Sequence, residues 1–301
     1  MTMSESGQYI VTGETATLGV RAVVRCWDTR DWSIVGTHQT HHAKVQSLSI
    51  SGDDSKLVSL GGQDDNTVVV WSIQSASALC SHTVGTGKSG SGLVVSFLTS
   101  NKFVVGGKDL LQTWSIESRS GDNKLTSYNV SLGKLKRDLT VIEKDDVRDC
   151  LYFGTASGDI IKIALNSKSG GNPAMIAACV RKVKKGQSSN VGRFSGGVTS
   201  ILLLANGELL VGCGNGDIVC VEQTNIKKTG AGGGGNMVSD PTHQCLVERR
   251  LTSVGGRVTS MLLGHSNREV ILATARSEII KVTLLTFDKM LLMNSPSSNI
   301  K

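Results

Sequence analysis

Short stretches of this chain recur at near-constant intervals, and that recurrence limits the folds open to it more than any other feature. Gly158-Asp159-Ile160-Ile161-Lys162-Ile163 returns 58 positions later as Gly216-Asp217-Ile218-Val219-Cys220-Val221, and 61 positions after that as Ser277-Glu278-Ile279-Ile280-Lys281-Val282. A second pair, Gly197 to Leu203 and Arg257 to Leu263, shares Val-Thr-Ser followed by apolar residues at a spacing of 60. A third series ends in tryptophan: Val24 to Trp27, Val68 to Trp71 and Leu110 to Trp114, with the indoles 44 and 43 apart. Self-similarity at a fixed period marks a structure built from stacked copies of one small unit.

The three series interlock. A first strand carries Val-x-Ser or Val-Thr-Ser. A second strand follows, as in Lys56 to Gly61 or Leu209 to Gly212. A Gly/Asp/Asn turn leads to a third strand carrying Trp or an apolar replacement, and a looser fourth strand closes the unit. Runs of five to seven apolar-rich residues joined by such turns read as meander hairpins. Composition agrees: glycine is high at 35 of 301 residues and proline is only 3, which suits many tight turns between short strands. Four strands every ~40–45 residues is the period of WD-repeat propeller blades. The expected fold is therefore all-β, a WD-repeat β-propeller of about six four-stranded blades. The second strands end at Gly13, Gly61, Gly106, Gly154, Gly212 and Ala273. Blades are expected over 7–38, 42–84, 92–132, 137–183, 197–251 and 256–294, with flexible insertions at 184–195 and 227–241. The first blade looks incomplete, because Gln8 to Gly13 reads as a second strand with no room for a first. An open ring exposes sheet edges, so another segment or chain is expected to complete it.

The run Leu57-Val58-Ser59-Leu60-Gly61-Gly62-Gln63-Asp64-Asp65-Asn66-Thr67-Val68-Val69-Val70-Trp71 resembles a second-blade segment of the cilia- and flagella-associated protein 52 family of WD-repeat proteins. The layout before it is similar too: Gly7 to Gly13, Trp27-Asp28, then His42-Ala43-Lys44-Val45. Tyr152 to Ile160 and Glu208 to Gly214 follow in the family's order. The resemblance implies a structural protein of the axoneme, bound to the luminal wall of doublet microtubules near the inner junction. Its partners would be α/β-tubulin and other luminal or inner-junction proteins, and a second chain or segment would carry the remaining propeller. It implies no cofactor and no enzymatic activity. Cytoplasm, cytoskeleton and the cilium or flagellum are the expected locations. The competing reading is a general WD-repeat scaffold in another cytosolic complex.

Trp27, Trp71 and Trp114 are expected to pack between blades, with Asp28 in the turn after the first of them. Asp65 lies where WD repeats place an acidic turn residue. With His42 and Ser59 it is expected to form a hydrogen-bonded network with Trp71, since a buried indole N–H needs an acceptor. A nucleophilic reading of the same trio fails because the serine would be buried in a strand. Gly85-Thr86-Gly87-Lys88-Ser89 ends like a phosphate-binding loop, but the leading glycine is replaced by His82 and no helix follows. His38, His41 and His42 lack companion ligands at metal spacing. The pairs Asp53-Asp54 and Asp145-Asp146 read as solvated turn residues. The seven cysteines include no Cys-x-x-Cys and read as free thiols of a reducing compartment. The first residues show no basic, apolar leader, and no run approaches the ~18 apolar residues of a membrane span.

Net charge is +7, and the bases cluster. Lys134, Lys136 and Arg137 form one group; Arg181, Lys182, Lys184 and Lys185 another; Lys227-Lys228 and Arg249-Arg250 are smaller pairs. All are expected at the outer rim, as solvated edge charge or as contacts for an acidic partner. Nucleic acid fits poorly, because aromatic residues are only 4% and no stacking platform is visible.

Overall fold

The computed structural model describes residues 1–16, 19–85, 90–119, 122–166, 173–182, 191–225, 244–264 and 266–294, and every regular element among them is a strand. Central strands such as Lys56–Gly61 and Cys150–Thr155 are buried along nearly their whole length. That matches their continuous apolar sequence, because a strand covered on both faces loses the in-out alternation. The outer strand Ser77–Thr83 is polar and mostly exposed. The chain divides into two compact units, Met1–Ile142 and Glu143–Lys301.

The first unit holds three antiparallel sheets, each in chain order. Sheet one is Thr2–Met3, Tyr9–Gly13, Arg21–Asp28 and Ile34–His42. Sheet two is Val45–Ile50, Lys56–Gly61, Thr67–Ser72 and Ser77–Thr83. Sheet three is Gly92–Thr99, Lys102–Gly107, Leu110–Arg119 and Asp122–Asn129. Val11, Val24 and Cys26 of sheet one pack on Leu57, Val69 and Trp71 of sheet two. The opposite face of sheet two, through Val58, Leu60 and Val70, packs on Phe103, Val105 and Trp114 of sheet three. Each such side chain removed from water contributes about 1.5–3 kcal/mol. Between the innermost strands, Ser47 and Ser49 hydroxyls accept the amides of Val95 and Phe97 at 3.1 and 3.0 Å.

The second unit repeats the pattern. Sheet four is Leu139–Asp145, Cys150–Thr155, Ile160–Ala164 and Ala174–Lys182; sheet five is Val198–Leu203, Leu209–Cys213, Asp217–Asn225 and Gln244–Ser253. Their outermost strands join in parallel, Val180 to Lys182 opposite Cys245 to Val247. Sheet six is Val258–Leu263, Glu269–Thr274, Glu278–Thr283 and Lys289–Asn294. One of its faces, with Val258, Met261, Val270 and Leu272, packs on Leu210, Ile218 and Cys220 of sheet five.

Two details depart from the sequence reading. The first strand of sheet one exists, as a two-residue stub that pairs Thr2 with Val11 and Met3 with Ile10. So short a strand leaves no hydrophobic pattern to read. The insertion at 184–195 is also ordered at its end: Val191–Gly192 pairs with Arg181 and Lys182, and Phe194 is buried beyond it. The rest of that insertion, and 227–241 with its four glycines, lie outside the described residues, as do Thr86 to Ser89. Sheet one is drawn wholly from residues 2–42 and sheet six from 258–294, so among the described residues the terminal sheets exchange no strand.

Candidate functional site

The most organised polar group of the first unit lies in sheet two. Trp71 faces Leu57 across the second and third strands, two residues from Ser59. Its indole N–H donates to Ser59 Oγ at 2.9 Å. Ser59 Oγ lies 2.7 Å from His41 Nε2, and His41 Nδ1 lies 3.0 Å from Asp65 Oδ2. A carboxylate only accepts, so Nδ1 carries a hydrogen; in that tautomer Nε2 accepts the Ser59 hydroxyl. Burial raises the Asp65 carboxyl, but hydrogen bonds from His41 and from the His42 and Thr67 amides outweigh it and hold the group below its usual range. Gly61 is required here, because a Cβ at that position would overlap the Asp65 carboxylate. His38 stacks on Trp71 with ring centroids 4.0 Å apart.

His41, not His42, completes this network. His42 supplies only its backbone N–H, to Asp65 Oδ2 at 2.9 Å, and is itself exposed. Neighbouring residues of a strand point to opposite faces, so a one-position slip carries a ring from core to solvent. The Ser-His-Asp order imitates a nucleophilic triad. However, Ser59 is 0% exposed and is occupied by the indole. The adjacent depression, about 530 Å³, is lined by His41, His42 and Asp65 but not by Ser59. The arrangement ties strands together.

The other tryptophans carry reduced versions. Trp27 Nε1 donates to Thr12 Oγ1 at 3.1 Å, and Asp28 instead binds the amide and guanidinium of Arg30, which hold its carboxyl well below the usual range. Trp114 is buried against Phe103, and its Nε1 has no acceptor among the described residues. Val105 stands where sheet two has Ser59, which explains the orphaned N–H.

The second unit contains a polar network that the sequence reading missed. Asp145 was expected to be solvated like Asp146, yet it is fully buried. It accepts the Arg148 amide at 2.9 Å and guanidinium at 2.8 Å. Burial raises its carboxyl, but those bonds hold it below the ordinary range. Tyr152 O–H lies 3.4 Å from Asp145 Oδ2 and accepts Gln223 Nε2 at 2.7 Å. Gln223 Oε1 accepts Lys162 Nζ at 2.9 Å, so sheets four and five are bonded through side chains. Glu143 adds a second link by accepting the Leu203 amide at 2.8 Å, and desolvation pushes its carboxyl up to about 7. The available signal was strand parity, since Asp145 shares a face with the buried Leu139. Asp146, on the other face, is exposed and pairs with Lys144 at 2.7 Å. Asp53 caps its turn through Ser51 and Ser55 at 2.6 and 2.9 Å.

The basic residues separate into three fates. Lys134 and Lys136 are exposed and Arg137 half-buried, but on the connection from the third to the fourth sheet rather than along the outer rim. The Arg137 carbonyl accepts the Asp109 amide at 3.0 Å, so the connection crosses the hairpin end of sheet three. Arg181 and Lys182 fall in the outermost strand of sheet four, while Lys184, Lys185, Lys227 and Lys228 lie outside the described residues. Arg249 pairs with Glu222, and Arg250 bonds the Leu285 carbonyl at 3.1 Å while lying over Phe287, so neither is simple solvated charge. Cys26, Cys80, Cys150, Cys179, Cys213 and Cys220 are free thiols.

Six four-stranded sheets, with an indole, hydroxyl, imidazole and carboxylate locking one of them, define a WD-repeat β-propeller protein. Comparison with known proteins agrees. The chain is 30% identical over 220 residues to cilia- and flagella-associated protein 52 of Chlamydomonas reinhardtii, covering 72% of this chain and 33% of that protein. It is 28% identical over 294 residues to the Homo sapiens protein of the same name, covering 97% of this chain and 42% of the other. It therefore spans less than half the length of these curated relatives. In fold it is similar to the β-propeller domain of Cps50 (Swd1) from Myceliophteria thermophila, with a TM-score of 0.69 at 15% identity, covering 98% of this chain and 85% of that one. No protein-family model matches the sequence.

Proposed function

We propose that this chain is a non-enzymatic structural protein of the ciliary or flagellar axoneme, a microtubule inner protein on the luminal wall of doublet microtubules near the inner junction. The observation that carries this reading is a match along 97% of the chain to cilia- and flagella-associated protein 52. The sites support it by what they are occupied with. The two polar networks described above hold strands and sheets together, and Ser59, the serine in a triad-like order, is sealed. Stacked sheets locked in this way make each unit a stiff support for partners. Exposed Lys134 and Lys136 beside the half-buried Arg137 offer positive charge to acidic tubulin, and Arg181, Lys182, Lys184 and Lys185 are a second basic run in the sequence.

The test is localisation of a tagged copy in a ciliated or flagellated cell, followed by salt extraction of isolated axonemes. Signal along the axoneme that persists in the doublet fraction is the expected result. A purely cytosolic or nuclear signal would reject the proposal in favour of a general WD-repeat scaffold.

A further inference from the structure

Two depressions flank the turn from Leu204 to Glu208 of sheet five, and every residue lining them belongs to the second unit. The one toward sheet four, about 410 Å³, holds Arg148 and Arg249, and both are neutralised, by Asp145 and by Glu222. The one toward sheet six, about 500 Å³, has apolar walls of Leu204, Leu263, Leu284 and Phe287 and holds Arg250 and Arg268. Arg250 Nη1 bonds the carbonyls of Leu284 and of Leu285, the second at 3.1 Å. Arg268 is exposed, and its guanidinium has no hydrogen-bond or ion-pair partner among the described residues. The one carboxylate of this pocket, Glu208, accepts Asn206 Nδ2 at 2.8 Å and lies 3.4 Å from the Cys220 sulfur. Two guanidinium groups against one carboxylate leave the lining positive. Burial, reinforced by Glu208, pushes the Cys220 thiol up to about 12, so it stays protonated and offers no thiolate nucleophile. Phe287 forms its wall at a φ of 63°, a left-handed conformation that bulky residues rarely adopt. Arg250 holds the turn in that shape through its carbonyl bonds and by lying over the Phe287 ring at 5.9 Å. Strain of this kind concentrates where a site needs a particular form.

We propose that the pocket between sheets five and six is a peptide-binding site, which takes a segment of a partner protein carrying a bulky apolar side chain next to an aspartate or glutamate. The apolar side chain fills the space against Phe287 and the three leucines, a volume within the ~300–1,000 Å³ of ligand pockets. The carboxylate pairs with Arg268 and with the Nε and Nη2 hydrogens that Arg250 does not use on the turn. Charge complementarity selects an acidic neighbour over a basic one. Leu285, which also lines the pocket and is 77% exposed, gives the flanking peptide an apolar surface that a small free acid would leave bare. The partner is defined by this chemistry in whatever assembly holds the chain, so the site stands apart from the axonemal reading.

A random heptapeptide phage library panned on the purified full chain tests the site. Enriched sequences should place Leu, Ile, Met or Phe beside Asp or Glu. A fluorescent copy of the leading sequence should bind Arg268→Glu roughly tenfold more weakly, because a charge-assisted hydrogen bond is lost. Leu285→Ser should weaken it too. Arg268 is exposed and unpartnered among the described residues, so its variant should melt like the parent. A photo-crosslinker at position 285 should join the bound peptide. No enrichment, enrichment of basic or purely apolar sequences, or equal binding by the parent and Arg268→Glu overturns the proposal. So does a cross-link from position 285 to other residues of 1–301, which would give the pocket to the chain itself or to a second copy. Displacement of the peptide by an equal concentration of hexanoate would also overturn it, because the occupant would then be a small acid.

Discussion

Ser59 Oγ accepts the indole N–H of Trp71 at 2.9 Å and at the same time reaches His41 Nε2 at 2.7 Å. One hydroxyl thus connects the core indole to a histidine that arrives from the last strand of the preceding sheet. Ser59→Ala removes both bonds and leaves a buried N–H and a buried imidazole unsatisfied. The expected loss is about 2 kcal/mol, or roughly 4–8 °C in Tm for a unit of this size. His41→Ala should cost a similar amount. His42→Ala should be close to neutral, because its bond to Asp65 comes from the backbone. Thermal melts of the three variants check the ordering, and a large loss for His42→Ala would contradict the assignment.

The repeat, the strand count and Trp71, Ser59 and Asp65 as a cluster were legible because they depend on local period and turn chemistry. The histidine was ambiguous by one residue: His41 and His42 are equally polar in sequence, and only the strand pairing decides which ring turns inward. Asp145 was misread for a different reason. Acidic pairs in turns are usually solvated, and the Arg148, Tyr152 and Gln223 partners that make its burial tolerable come from three separate elements. Gln223 lies 71 residues from Tyr152, a separation that no local pattern spans. The stub Thr2–Met3 was missed because two residues carry no periodicity.

Trp114 offers a gain where Trp71 predicts a loss. Its Nε1 is orphaned, and Val105 occupies the position of Ser59. Val105→Thr keeps the shape and supplies a hydroxyl acceptor on the face that Trp114 shares. It should leave stability unchanged or raise it. Val104→Thr on the opposite face buries an unpartnered hydroxyl and should cost about 1–2 kcal/mol. Denaturant midpoints of the two variants decide the matter; equal losses would mean that the threonine at 105 cannot reach the indole.

Glu143 makes stability depend on pH. Its carboxyl is raised from 4.5 to about 7 by desolvation, with the Leu203 amide opposing that rise and Asp145 reinforcing it. The folded chain therefore binds this proton more tightly than the unfolded chain. The group's contribution is fully present below about 4.5 and is lost as pH rises through about 7. Glu143→Gln keeps an oxygen for the Leu203 amide and removes the ionisation. The variant should match the parent at pH 5 and exceed it at pH 8 by roughly 2–3 kcal/mol. Parallel stability curves for the two proteins across that range would show that Glu143 is not the group responsible.

The connection between the third and fourth sheets exposes two lysines that the proposed function makes candidates for an acidic partner. Lys134 and Lys136 are exposed there, whereas the Arg137 guanidinium donates to the Lys136 carbonyl at 2.9 Å and helps to hold the segment. Reversing only the two lysines to glutamate alters charge without disturbing that bond, so the purified variant should melt like the parent. If these lysines face an acidic surface in axonemes, the variant should be extracted at lower salt. Exposed charge pairs are screened over a Debye length of about 8 Å at physiological ionic strength. The difference should therefore be largest in low-salt washes and shrink as salt rises. Identical extraction profiles would remove this segment from the partner surface and leave 181–185 as the remaining basic candidate.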